Sequence, residues 1–275
     1  MYGNRGWCAL GRCWPGSWLT GLTAPCVCVR FFPQGPVDMD AALEFYALGC
    51  KGYPSDLNGC RAMGLVYLEG DHGVDKHLPR AKKYLRKACQ GGLHRACHEL
   101  GLALWAPGQP VETTTSRAAK LHRRACDADP AVPEACVALA EMAADGQGVK
   151  RNRGRAATLL RKGCDLAHGP ACTRLGLLTA YGYGTADAKE DKVGALRLYE
   201  RACEYGDVMG CSAAGTDYAE GNGVVAVDTA KAARLLSKAC IAEYEAACAI
   251  MKRLKLELVR DAVDHDCGDA KTCSM

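Results

Sequence analysis

Cysteine dominates the residues of this chain that could do chemistry: there are 18 in 275 positions, far more than a lone nucleophile or a single metal site uses. Twelve fall into successive pairs: Cys50 with Cys60, Cys89 with Cys97, Cys126 with Cys136, Cys164 with Cys172, Cys203 with Cys211, and Cys240 with Cys248. Seven residues separate the members of most pairs, and nine separate Cys50 from Cys60 and Cys126 from Cys136. Such a gap holds a short turn with about one helical turn on each side, so both thiols face each other across a hairpin. The Cα atoms can then come within the roughly 4.4–6.8 Å a disulfide tolerates, whereas one continuous helix holds residues eight apart at about 12 Å. The six pairs are predicted to be disulfides, with Cys267 joined to Cys273 across residues 268–272. Cys26-Val27-Cys28 is the candidate for an accessible redox thiol outside the pairs, but pairing with Cys8 and Cys13 in a leader accounts for it more simply.

Other chemistries find less. His94 and His98 flank Cys97 one helical turn apart, yet neither the glutamate of His-Glu-x-x-His nor a second close cysteine pair accompanies them, so they read as surface histidines and no metal is assigned. Ser116-Arg117-Ala118-Ala119-Lys120 is one residue too long for the Ser-x-x-Lys of a serine β-lactamase, and neither Ser-Asp-Asn nor Lys-Thr-Gly follows it. No catalytic residue and no cofactor are assigned.

The elements that position the cysteines repeat with them. The first members of the pairs advance by 39, 37, 38, 39 and 37 residues, the period of a stacked helical-hairpin array. Eight residues before each stands an alanine (Ala42, Ala81, Ala118, Ala156, Ala195, Ala232), and five before it a bulky side chain (Phe45, Tyr84, Leu121, Leu159, Leu198, Leu235). The residue just before the cysteine is always Gly or Ala. These offsets share one face of a helix, here helix B, whose last turn is basic as a helix C-terminus favours. The second cysteine opens helix A, with core positions at the cysteine and three, four and seven residues after it. The residue four after it is small in five copies (Gly64, Gly101, Ala140, Gly176, Gly215), which lets helices approach closely. In the last copy Lys252 stands there, with Lys255 a turn later, which reads as the outward face of a capping helix. Helix A closes on a glycine loop at 70–74, 146–149, 182–185 and 221–224. The second copy instead has Pro107, Gly108 and Pro110 before a polar 113–116 run, which predicts a longer, reshaped loop.

The predicted fold class is all-α, a right-handed α/α superhelix of disulfide-stapled helix-turn-helix repeats. A hydrophobic fraction of 49% suffices for a core, and a net charge of +4 spread over 35 basic and 31 acidic residues points to neither nucleic acid nor a membrane surface. No stretch approaches the ~20 apolar residues of a membrane span. Thiols at this density suit an oxidising compartment. Residues 1–37 carry no Asp or Glu but do carry Arg5, Arg12 and Arg30, with an apolar run at 18–29 broken by Thr20, Thr23 and Pro25. They read as a leader or disordered segment and an unconventional export signal, followed by repeats over 38–260 and a tail at 261–275.

In its small-residue helix contacts, its Ala-rich second helix and its loops Gly146-Gln147-Gly148-Val149 and Gly221-Asn222-Gly223-Val224, the chain resembles the Sel-one-like repeat family, which is related to the tetratricopeptide repeats. The seven-residue cysteine gaps make it similar to the helicobacter cysteine-rich secreted proteins. The resemblance covers about residues 38–260, as five repeats with flanking half-repeats. It implies a periplasmic or secreted protein-interaction scaffold and, for some members, penicillin binding and weak β-lactamase activity, for which the residues above supply neither nucleophile nor metal. The nine-residue gaps resemble a mitochondrial respiratory-chain assembly factor of the intermembrane space, the alternative location.

A monomer binding a protein or peptide in its concave groove is the expected form. Helix A lines that groove, and the stripe one, five and eight residues after its cysteine is free to face it: Arg61, Leu65, Leu68, His98, Leu102, Trp105, Val137, Glu141, Thr173, Leu177, Ser212 and Thr216. Trp105, the tryptophan inside the repeats, is either an interface anchor or local core against the 107–110 loop.

Overall fold

The computed structural model describes residues 39–52, 56–70, 74–105, 111–183, 189–221 and 225–259. Within them lie twelve α-helices and no strand: α1 Met39–Lys51, α2 Leu57–Glu69, α3 Leu78–Gln90, α4 His94–Trp105, α5 Val111–Cys126, α6 Pro133–Asp145, α7 Arg153–Asp165, α8 Gly169–Ala180, α9 Lys192–Glu204, α10 Val208–Glu220, α11 Thr229–Ile241 and α12 Glu245–Leu254. Odd-numbered helices are the B type and even-numbered ones the A type. Each helix packs on the next in sequence, and the A helices also touch the A helices of adjacent repeats. The A layer is therefore the more closely spaced one, on the inside of the stack, with the B helices outside.

Local chemistry repeats along the array. A side chain caps each of four B helices: His77 accepts from the Arg80 N–H, Asn152 from Arg155, Asp191 from Gly194 and Asp228 from Lys231. The backbone N–H of the same four residues reaches back to the helix A carbonyl seven residues after the cysteine: Tyr67 (2.8 Å), Ala143 (2.7 Å), Thr179 (3.1 Å) and Tyr218 (2.9 Å). Gly70, Gly146 and Gly221 end their helices at φ of 68°, 80° and 70°, the left-handed stop that glycine adopts without strain.

At the other end of each hairpin, the carbonyl before the first cysteine accepts from the residue that opens helix A, as in Leu93 to Ala88 (3.1 Å), His168 to Gly163 (3.2 Å) and Asp207 to Ala202 (2.9 Å). That closeness is why the position is Gly or Ala: a Cβ on Gly163 would stand 2.9 Å from the Ala171 methyl. The turn brings the six cysteine pairs within bonding reach, and each is bridged. Cα separations are 4.6 Å for Cys50 and Cys60, 4.6 Å for Cys89 and Cys97, and 4.8 Å for Cys126 and Cys136. They are 4.7 Å for Cys164 and Cys172, 4.4 Å for Cys203 and Cys211, and 4.9 Å for Cys240 and Cys248. The nine-residue gaps before Cys60 and Cys136 give separations inside the range of the others, so their two extra residues bulge without moving the staple. Cys8, Cys13, Cys26, Cys28, Cys267 and Cys273 lie outside the described residues, as do the segments 1–37 and 261–275 expected to be a leader and a tail.

One expectation is corrected. The 113–116 run is not loop but part of α5, which at 16 residues is the longest helix described. Thr115 is buried there, and Gly148 of the neighbouring loop lies so close that a Cβ would meet the Thr115 carbonyl carbon at 2.4 Å. Residues 107–110 themselves lie outside the described residues. The bulky position five before the first cysteine is not the deepest: Phe45 is exposed, and Tyr84, Leu121, Leu159, Leu198 and Leu235 are half-buried. One residue later, Leu85, His122, Leu160, Tyr199 and Leu236 are buried. These seat on the small residue of the preceding helix A, where a Cβ on Gly64, Gly101, Gly176 or Gly215 would approach Leu85, His122, Tyr199 or Leu236 to 2.5–2.7 Å.

Candidate binding face of the A helices

The cysteines that enter the A helices are staples and offer no free thiol: Cys60, Cys97, Cys136, Cys172 and Cys211 are buried, Cys248 is half-buried, and each is bonded to its partner on the preceding B helix. They fix the rotation of the A helices and hence what the remaining positions can face. The stripe expected to line the groove then divides into three rows.

The row one after the cysteine does not face the groove but the next repeat, because adjacent A helices pack along it. Arg61 forks onto the largely buried Glu99, its Nε donating to Oε1 at 2.7 Å and Oε2 at 2.9 Å. The Thr173 hydroxyl donates to the Asp207 carboxylate, which also caps α10. Val137 (5% exposed) and Ser212 (7%) are core, a correction to their placement as groove residues.

His98 is likewise not a surface residue. Its Nδ1 lies 3.1 Å from Nδ1 of His122, a bond that requires at least one of the two atoms to be unprotonated. His122 occupies the position that Leu85, Leu160 and Leu236 hold elsewhere, is fully buried, and has no partner for its Nε2. Burial, then the neighbouring His98, push its pKa down to about 3. His98 is also lowered by burial, with Glu134 opposing and Arg95 assisting.

The row eight after the cysteine packs inward: Leu68 and Trp105 lie against the first core cluster. The Trp105 indole N–H donates to Oε1 of Gln147 at 2.7 Å, tying α4 to the loop after α6.

The row five after the cysteine is what remains for a partner. Leu65 is half-buried, while Leu102 and Leu177 are 41% and 51% exposed. Glu141 accepts from Arg174 at 2.7 Å, and Thr216 donates to its own helix at Ser212 (2.8 Å). Sequence reasoning missed Tyr181, 64% exposed, which caps the C-terminus of α8 four residues beyond Leu177. The inner face thus presents isolated apolar side chains on a frame whose polar groups are engaged with one another. Among the described residues no three His, Cys, Asp or Glu side chains are grouped to hold a metal, and no helix is long and apolar enough to cross a membrane.

An array of helical hairpins packed in sequence, with an inner and an outer layer, is an α/α solenoid of the tandem-repeat class. The Sel1 repeat model matches residues 58–93, 94–130, 133–168, 169–207 and 209–244, and the chain belongs to that family. Sel1 repeats are protein-interaction modules. The matched repeats begin after α1 and end before α12. Among solved structures, a Sel1 repeat protein from Oxalobacter formigenes is 22% identical with a TM-score of 0.64, over 82% of this chain and 96% of that one. A protective antigen of uropathogenic Escherichia coli displaying an SLR fold is 23% identical with a TM-score of 0.63, over 82% of this chain and 46% of that one, so the chain spans about half that antigen's length. At these identities the likeness is one of fold. No curated protein matches the sequence.

Proposed function

We propose that this protein is a non-catalytic interaction scaffold of an oxidising compartment, periplasmic or secreted, which holds a protein or peptide along the inner face of its A helices. The observation that carries the reading is the exposed pair Leu102 and Leu177 on a face whose neighbouring polar groups are bonded among themselves. Such a face offers a partner apolar contact without a cost for breaking internal polar pairs. Six bridges across the hairpin turns support the oxidising location, since reducing compartments keep such thiols open.

The test is affinity capture by wild-type protein and by Leu102→Glu and Leu177→Glu variants, followed by titration of the captured partner. Both changes fall on exposed positions and should leave the melting temperature within about a degree or two. Each is expected to weaken the partner by more than about 1 kcal/mol. Undiminished affinity in both variants would move the binding surface elsewhere.

A further inference from the structure

We propose that the outer surface between α3 and α5 is a binding site for a small amphiphilic anion, a carboxylate or its equivalent on a short apolar body. A slot of about 320 Å³ opens there, at the small end of the range of ligand pockets. Leu100 and Leu104 of α4 form its floor and Leu121 part of its wall. Around them stand Arg86 on α3 and Arg117, Lys120 and Arg124 on α5, all exposed. Among the described residues no acidic side chain lines the slot. Four cations gathered without an anion repel one another and concentrate the potential over an apolar floor.

The other repeats show what is missing. The basic residue two before the first cysteine of a pair reaches back to the end of the preceding B helix and neutralises it. Lys162 meets Asp127 at 3.3 Å; Arg201 meets Asp165 at 3.2 Å and the Cys164 carbonyl at 3.2 Å; Lys87 donates to the Cys50 carbonyl. Asp127 and Asp165 each directly follow the first cysteine of their pair. Between α3 and α5 the basic residue is Arg124, and the place of the aspartate is taken by Gln90. The slot lacks the acid that Asp127 and Asp165 supply to the two following steps; in the preceding step that position is Lys51, and Lys87 turns to the Cys50 carbonyl instead. A bound carboxylate would stand near that position, with its apolar body over Leu100 and Leu104.

The inference stands apart from the inner-face scaffold, because it concerns the opposite layer and different residues. It is tested on the full-length oxidised protein by titration calorimetry at low salt with three probes: octanoate, inorganic phosphate and octylammonium. Octanoate is expected to bind the wild type, phosphate about tenfold more weakly, and octylammonium not at all. Raising the ionic strength should weaken octanoate, as screening between exposed charges requires. Gln90→Asp restores the internal acid, and it is expected to weaken octanoate about tenfold while leaving the helical signal unchanged. A Lys120→Gln/Arg124→Gln double variant should do the same. Absence of octanoate binding to the wild type would overturn the proposal. So would equal binding of phosphate, or octanoate affinity unchanged in Gln90→Asp.

Discussion

His122→Leu is the perturbation that most directly probes how the repeats interlock. His122 sits fully buried where three other repeats carry leucine, opposite Gly101, with Nε2 unpartnered and Nδ1 bonded to His98. Its folded pKa is about 3, against about 6.5 in the unfolded chain. The unfolded state therefore binds the proton first. The contribution of the neutral ring to stability is fully present above pH 6.5 and is lost as pH falls from there towards 3. Between pH 7.5 and pH 4.5 the loss spans about two pH units, or about 2.7 kcal/mol at roughly 1.36 kcal/mol per unit. Leucine titrates nowhere in this range and fits the same seat, as Leu85 does on Gly64 and Leu236 on Gly215. The variant is thus expected to be more stable than wild type by about 1 kcal/mol at pH 7.5, because an orphaned polar atom leaves the core, and by about 3–4 kcal/mol at pH 4.5 by adding the titration loss. Urea unfolding followed by helical circular dichroism at both pH values, with the disulfides intact, gives the comparison; carboxylate titrations common to both proteins cancel in the difference. Parallel pH profiles for the two proteins would show that His122 is protonated or solvated in the native state, and the argument from burial would be wrong.

Non-reducing peptide mapping is expected to recover the six local bridges and a Cys267–Cys273 bridge, and reduction should lower the melting temperature strongly, each closed loop of about ten residues being worth roughly 2.5 kcal/mol. Free thiols throughout the repeats would contradict this. Arg61→Ala strips the largely buried Glu99 of its fork from a half-buried arginine, so a loss of about 1–2 kcal/mol is expected, with a smaller loss in Glu99→Gln; equal, negligible losses by urea titration would place the pair in solvent. Trp105→Ala is expected to cost stability by about 2 kcal/mol, and Gln147→Ala less, while partner affinity stays within about threefold; the reverse pattern would make Trp105 an interface anchor.

The sequence carried the period, the pairing of the twelve repeat cysteines, the invariant alanine and the small residue of helix A, because each recurs at a fixed offset six or nearly six times. Cys172 and Cys211 could be matched to Cys164 and Cys203 from spacing alone, since a short turn leaves each thiol one neighbour. The rotation of each helix against the neighbouring repeat was harder to read. Arg61, His98, Val137, Thr173 and Ser212 are acceptable groove residues on a helical wheel, and it is packing against neighbouring helices, the next A helix for Arg61 and Thr173 and α5 for His98, that turns them into the stack. The seat of Leu85, Leu160 and Leu236 was hidden for a related reason. It is filled by leucine, tyrosine or histidine, so the chemical type does not repeat although the volume does, and its partner is a glycine in the preceding helix A.

Departures from the repeat rule then become informative, since a stacked array needs no particular residue at one seat beyond what its neighbours need. His122 in place of leucine, Gln90 in place of aspartate and the Trp105–Gln147 tie all fall within or beside the α3–α5 step, next to the loop where the Gly-x-Gly-Val pattern is replaced by Pro107, Gly108 and Pro110. Departures occur elsewhere too, as Tyr199 in the leucine seat and Lys51 and Ile241 in the aspartate position show, but the α3–α5 step carries distinctive chemistry on both layers: a titratable pair inside and a cationic slot outside. The two are separable, because His122→Leu acts through the α4–α5 packing and Gln90→Asp through the α3–α5 surface. If one constraint shaped both, octanoate should protect the His98–His122 pair, and the pH at which wild type loses stability should fall when the slot is filled.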